Sequence, residues 1–250
     1  MKPSAPAVRR GFASVVFDCD STLARIEGID ELAGAHAEAI RALTEAAMQG
    51  TVPLEEVYGH RLDIIQPTRA LVAALGRAYV DGLVADARET VEALLWLGKT
   101  VRIVSGGLRP PVEEVARVLG ISADAVAAVG IDFDGDGGYA GFEHASPLAR
   151  SGGKAAVIRA WGLPRPALLV GDGATDLEAR PAVDAFAAYM GVAFRPAVAA
   201  GAEFVLREET LAAVLSLAAG DADRERLRGG RWADLLARGD AALAVGPSPA

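Results

Sequence analysis

Only one cysteine, Cys19, occurs in the 250 residues, which excludes an internal disulfide framework. No apolar run is long enough to span a bilayer. The segment Met1–Arg10 also lacks the apolar stretch of a secretory signal. A cytoplasmic protein is the expectation. Positive charge is in deficit, with 25 basic residues against 33 acidic ones and a net charge of -8. That balance argues against nucleic acid or an anionic membrane as partner. Lysine is scarcer still: Lys2, Lys99 and Lys154 are all there are. No internal repeat is present. What the chain does have is apolar content, 52%, enough for the core of one large domain, or of one domain with a smaller insert.

The stretch Val15-Val16-Phe17-Asp18-Cys19-Asp20-Ser21-Thr22-Leu23 organises the rest. A strand buried on both faces reads as a continuous apolar run. Unpaired charge inside a core is strongly disfavoured, so the two aspartates belong where the strand leaves it. Ligands of open α/β sheets bind at the carboxyl ends of strands. At two-residue spacing on an extended chain, Asp18 and Asp20 point to one side. Such a pair can hold a cation, or serve as nucleophile and proton donor.

Residues 1 to about 11 read as a loose arm and 13–18 as the first strand. Between 24 and 85 the texture is helical throughout. A first helix is expected over 31–48. A second starts at Pro53, carries Leu54, Val57, Tyr58, Leu62 and Ile65 on one face, and ends at Pro67; a third carries Leu71, Leu75 and Ala78. Alternation then sets in. A helix capped by Asp86 with Glu89 precedes a strand at 101–104, which empties into Ser105-Gly106-Gly107. A helix follows from Pro110 to Gly120, then extended chain at 126–133, a helix from Lys154 and a strand at 167–170 running into Gly171-Asp172-Gly173. Short strands at 185–189 and 203–205 and a helix at 209–217 complete the pattern. This is an α/β, doubly wound parallel sheet, covered on both faces. The expected division is a core of 1–23 and 86–220, a helical cap of 24–85 and a tail of 221–250. In that tail Trp232, Leu235 and Leu236 suit a short surface helix, and 246–250 reads as disordered.

Phosphate monoesters repel nucleophiles through their charge, so a carboxylate nucleophile needs cations beside it. Asp172 and Asp176 follow a strand as Asp18 does, and hard oxygen ligands suit Mg²⁺. Ser105 with the amides of Gly106 and Gly107 can hold phosphoryl oxygens. Lys154 opens a helix, where the dipole favours anions, and that misplacement suggests that it faces one.

The pattern Asp18-x-Asp20-x-Thr22 after an apolar strand resembles the first motif of the haloacid dehalogenase superfamily. Ile103–Gly107, Lys154 and Gly171–Asp176 resemble its second, third and fourth motifs, in family order and spacing. Glu27–Ala33, Arg61 and Asp176–Pro181 are similar to its phosphoserine phosphatase branch, and the resemblance covers roughly residues 12 to 219. It implies a Rossmann-like core and Mg²⁺-dependent hydrolysis of a small phosphomonoester, O-phosphoserine foremost, through an aspartyl-phosphate. Asp18 is then nucleophile and metal ligand. Asp20 is acid and base, and a metal ligand through its carbonyl. Asp172 is a metal ligand, Asp176 supports the metal, and Lys154 neutralises nucleophile and phosphoryl group. The resemblance further implies substrate contacts from Glu27 (to the ammonium), Arg61 (to the carboxylate), Met48, Ser105, Gly106, Gly107, Lys154, Thr175 and Arg195. Tyr189-Met190-Gly191 departs from the family, where a glycine pair is common, and this bears on where Arg195 lies. Nucleic acid and membrane are not expected as partners; a second copy of the chain is allowed as one.

Alternatives remain. Another small phosphomonoester fits the same chemistry. Cys19 through Arg25 fits the Cys-x5-Arg loop of cysteine phosphatases, but flanking Asp18 and Asp20 raise a thiol's pKa, so Cys19 reads as a small buried residue. Asp132 through Glu143 fits a calcium loop, yet alternating Ile131 and Phe133 and the Asp136-Gly137 turn favour a β-hairpin. A phospho-accepting signalling domain is the alternative of another class. Asp20 and the helical insert argue against it, since a positioned acid and base promotes turnover.

Overall fold

Val15, Val16 and Phe17 are fully buried, as an apolar run without alternation requires of a strand covered on both faces. Val15 and Phe17 join one hydrophobic cluster and Val16 the other. The protein is described here by a computed structural model covering residues 10–48 and 51–244, the side chain of Met48 excepted. Residues 1–9 of the expected amino-terminal arm and the whole of 246–250 lie outside these residues. The arm is shorter than expected at its inner end: Gly11 is buried, and Phe12 N donates to Ala218 O at 2.9 Å.

Eight strands form. They are β1 (Ser14–Phe17), β2 (Thr100–Leu108), β3 (Val126–Val129), β4 (Ile131–Phe133), β5 (Tyr139–Phe142), β6 (Ala167–Gly171), β7 (Ala185–Tyr189) and β8 (Phe204–Leu206). Six make one sheet in the order β3-β2-β1-β6-β7-β8, every pairing parallel. This is the expected doubly wound α/β core. The chain builds outward from β1 through β2 to β3, then crosses to β6 and builds the other way. The switch point therefore lies between β1 and β6, and a ligand crevice is expected beyond their carboxyl ends. β4 and β5 pair as the expected antiparallel hairpin. Asp134 Oδ1 closes its turn by accepting from Asp136 N (3.0 Å) and Gly138 N (2.7 Å).

Helices α1 (Gly28–Glu31), α2 (Ala37–Met48), α3 (Leu54–Ile65) and α4 (Arg69–Asp81) lie between β1 and β2 in the chain. The single helix expected over 31–48 is broken: Gly34 takes a φ of 50° and a 3-10 turn intervenes before α2. A left-handed residue cannot continue an α-helix, and glycine adopts that conformation without steric cost. The insert leaves and returns at one place, since Val84 N donates to Leu23 O at 2.9 Å.

The remaining helices are α5 (Ala87–Trp96), α6 (Arg109–Leu119), α7 (Gly153–Ala160), α8 (Ala174–Ala179), α9 (Pro196–Gly201), α10 (Ala212–Ala218), α11 (Asp221–Arg228) and α12 (Ala233–Ala244). Asp86 does not cap α5 as its spacing with Glu89 suggests. Its φ is 62°, and its carboxylate instead accepts from Thr210 Oγ1 and Arg238 Nη2, both at 2.7 Å. Tertiary donors outbid the local amides. β2 also runs past its expected end and includes Ser105–Gly107, with a register shift against β3 between Val104 and Leu108. Such irregularities re-aim side chains beside ligand sites.

The tail packs closely. Leu227, Trp232, Leu235 and Leu236 are buried in the same cluster as α10. A Cβ added at Gly239 would lie 2.2 Å from Ala212 O, backbone that cannot give way cheaply. Gly239→Ala should therefore destabilise the fold by about 1–3 kcal/mol through overpacking. An exposed helix would give the opposite sign, about 1 kcal/mol of stabilisation, because alanine is the better helix former. Urea unfolding of the two proteins decides between them.

Candidate active site

β1 and β6 stay paired up to the first aspartate, whose amide donates to Val170 O at 2.9 Å. Asp18 thus emerges at the carboxyl end of β1, and Asp172 one residue beyond β6. Asp176 arrives on the first turn of α8. Its Oδ2 accepts from Gly173 N at 3.1 Å, which supplies a partner for an amide at the helix start. Gly171 leaves room for it: a Cβ there would lie 2.2 Å from Asp176 Cγ. Asp18, Asp172 and Asp176 are all buried, and they bring ligand oxygens within 4.8 Å of one another. Among the described residues no other trio of such groups does so, the Asp132–Glu143 hairpin included.

Lys154, second residue of α7, lies between two of these carboxylates, with Nζ 2.8 Å from Asp18 Oδ2 and 2.8 Å from Asp176 Oδ1. Burial alone would lower its pKa, but Asp176 and Asp18 outweigh burial and hold the ammonium above its ordinary value. The other oxygen of Asp18 accepts from Cys19 N at 2.7 Å, so the carboxylate is fixed at both ends. Burial, then the nearby Asp176 charge, pushes the Asp18 carboxyl well above the usual carboxylate range, with Lys154 opposing. Asp172 is pushed up to about 6, by burial first, with Arg195 opposing and Asp176 adding. Three buried carboxylates against Lys154 and Arg195 leave an excess of negative charge on hard oxygen donors. That donor set fits a hard divalent cation.

Asp20 lies on the cavity wall. Its Oδ1 accepts from Gly28 N at 3.2 Å and from the hydroxyl of Tyr79. Burial raises its carboxyl, and those two hydrogen bonds oppose the rise. Glu27, Arg61, Gly106 and Thr175 line the same cavity as Asp18 and Lys154. Ser105 is fully buried, and its Oγ accepts from Gly107 N at 2.9 Å, so that amide is already engaged. Met48 ends α2 next to Ala47, which lines the cavity; the Met48 side chain lies outside the described residues.

Arg195 reaches this centre despite the Tyr189-Met190-Gly191 departure. Nε is 3.1 Å from Asp172 Oδ2, Nη1 3.0 Å from Glu45 Oε2 on α2, and Nη2 3.3 Å from Glu27 Oε1. Glu27 Oε1 also accepts from Ser21 Oγ at 2.7 Å. One arginine therefore ties the core to the inserted helices. Arg61 is buried on α3; its Nη1 donates to Thr44 Oγ1 at 2.8 Å, while Nε has no partner among the described residues. Cys19 is fully buried, and burial, Asp20 and Asp18 push its thiol far up, which disfavours a thiolate.

Sequence reasoning did not single out Tyr58, Asp30 and Arg150, which line the same cavity, nor Tyr79 and Glu45, the partners of Asp20 and Arg195. Tyr58 carried a signal, since it stands three residues before Arg61 on one helical face. Tyr79 carried none, being 59 residues from Asp20 in the chain.

The strand-end aspartate, its lysine and the carboxylates at the switch point form the polar centre of a doubly wound α/β domain. The family model for haloacid dehalogenase-like hydrolase matches residues 15–181, and the chain belongs to that family. Within it the chain is 39% identical over 201 residues to the phosphoserine phosphatase of Homo sapiens, spanning 78% of this chain and 89% of the relative. It is 38% identical to the chloroplastic phosphoserine phosphatase of Arabidopsis thaliana, over 79% of this chain and 69% of that one. A phosphoserine phosphohydrolase-like protein from Francisella tularensis superposes with a TM-score of 0.72 at 26% identity, covering 78% of this chain and 95% of that one. No helix among the described residues is long and apolar enough to cross a membrane.

Proposed function

We propose that the chain hydrolyses O-phosphoserine to serine and phosphate, by way of an aspartyl-phosphate on Asp18 and with Mg²⁺ as cofactor. The observation that carries this is the cavity itself. One wall presents Asp18 and Lys154, and α3 presents Arg61, buried with its Nε unpartnered. A buried donor without an acceptor is costly, and a ligand carboxylate removes that cost.

In the proposed sequence Asp18 attacks phosphorus while Asp20, protonated, donates to the departing serine oxygen. Asp20, now a carboxylate, takes a proton from the water that attacks the acyl phosphate, which frees Asp18. Lys154 offsets charge on Asp18 and on the phosphoryl group. Ser105, Gly106 and Thr175 hold phosphoryl oxygens, and Gly107 keeps Ser105 in place. Asp18, the Asp20 carbonyl and Asp172 would hold Mg²⁺, supported by Asp176. The cation supplies neutralisation of the phosphoryl charge. Glu27 takes the substrate ammonium and Arg61 its carboxylate, with Met48 packing nearby. Arg195 positions Glu27 and Asp172. The helices of 24–85 serve as a cap whose closure over the cavity excludes water from the first step.

Arg61→Ala should lower kcat/KM for phosphoserine by at least ~2 kcal/mol, the loss of a charge-assisted contact. An aryl phosphate, without carboxylate or ammonium, should lose much less. Glu27→Gln measured alongside reports the ammonium handle. Equal losses on both substrates would reduce the enzyme to a general phosphatase.

A further inference from the structure

We infer that Tyr58 is a second specificity residue for the substrate carboxylate: its hydroxyl donates to one carboxylate oxygen while Arg61 Nε donates to the other. This inference rests on the phosphoserine reading above and adds a residue to it.

Tyr58 is 1% exposed, and its hydroxyl has no hydrogen-bond partner among the described residues. It lines the cavity that holds Asp18 and Arg61. On α3 it precedes Arg61 by three residues, so the two side chains leave the same helix face. The Arg61 guanidinium carbon lies 5.6 Å from the centroid of the Tyr58 ring. The ring also packs against Phe142, at 5.3 Å between centroids. It is therefore a rigid group presenting one polar atom.

A phenylalanine would fill this place without burying a hydroxyl. Leaving a buried hydroxyl unsatisfied is costly. The oxygen needs an acceptor once the cavity is filled. That acceptor has to suit Arg61 too, whose Nε is unpartnered in the same cavity. The occupant is thus anionic with at least two acceptor oxygens. The phosphoryl group is held from the Asp18 and Lys154 wall, which leaves the carboxylate for α3. Two donors from one helix turn, one charged and one neutral, grip a planar carboxylate as a fork.

Tyr58→Phe tests the inference with O-phosphoserine and O-phosphoethanolamine, which share phosphate and ammonium and differ in the carboxylate. The expected result is an about 10- to 100-fold fall in kcat/KM for phosphoserine, the loss of a hydrogen bond to a charged group. It should be carried mainly by KM, with phosphoethanolamine unchanged within about twofold, because uniform binding is what is lost. Inhibition by L-serine should weaken in proportion, and inhibition by inorganic phosphate should not. Melting temperature should hold or rise, since a buried unpaired hydroxyl has been removed. Equal losses on the two substrates, with or without a drop in melting temperature, would make Tyr58 a packing residue and overturn the inference. An unchanged preference for phosphoserine would overturn it as well, while leaving the phosphoserine reading intact. A parent enzyme that does not prefer phosphoserine to phosphoethanolamine would overturn both.

Discussion

Asp18→Asn should lower kcat by at least about four orders of magnitude, the scale on which a covalent nucleophile is lost, while Cys19→Ser keeps most of the activity. The amide is nearly isosteric. It still accepts from Cys19 N, which now donates to Asp18 Oδ1 at 2.7 Å. What it lacks is the charge that Lys154 Nζ approaches at 2.8 Å and the lone pair that would attack phosphorus. Folding should survive, because neutralising one of three crowded carboxylates relieves the repulsion between Asp18 and Asp176. Cys19 sits one residue away, fully buried, its thiol pushed up by burial and by Asp20 and Asp18. Steady-state phosphate release on the two folded variants decides the matter. Activity lost in Cys19→Ser and kept in Asp18→Asn would move the nucleophile to the thiol.

Chelation should abolish turnover, added Mg²⁺ should restore it, and Ca²⁺ should not, since Ca²⁺ prefers more ligands and a looser geometry. The pH dependence of binding follows from Asp172. Burial raises its carboxyl from 3.8 to about 6, Arg195 opposing and Asp176 adding. A folded pKa above the unfolded one means that the metal-free fold binds the extra proton. Its contribution to stability is therefore present in acid and is lost as pH rises through about 6. A cation needs the deprotonated form, so its stabilising effect grows in the same direction. The rise in melting temperature on adding Mg²⁺ should be small near pH ~5 and much larger near pH ~8. A rise that does not change across that range, or full activity in excess chelator, would remove the three carboxylates as a metal site.

Asp18 was legible because it contradicts its surroundings. Two carboxylates directly after a fully buried run have to lie at a strand end. Lys154 was legible for a similar reason, as a cation where a helix start favours an anion. Local rules failed where distant groups competed for the same atoms. Asp86 and Glu89 spell a capping box, yet Thr210 and Arg238 take the Asp86 carboxylate. Tyr58 lay in plain view within an apolar helix face. It became distinct only when its hydroxyl proved to have no partner among the described residues.

The sequence by itself determined the parallel α/β core, the helical stretch after the first strand and the strand-end position of Asp18 and Asp20. These follow from periodicity, from breakers and from charges placed against the local burial, all read within a few residues. Tertiary structure alone decided which groups meet. Thr22 donates to Asp172, and Arg195 to Glu45, each pair 150 residues apart in the chain. Tyr79 comes from the last inserted helix to bond Asp20. Such meetings depend on strand order, on where the insert folds back and on the side chains that fill the space between. No spacing rule along one segment encodes a contact whose partner is set by the packing of another.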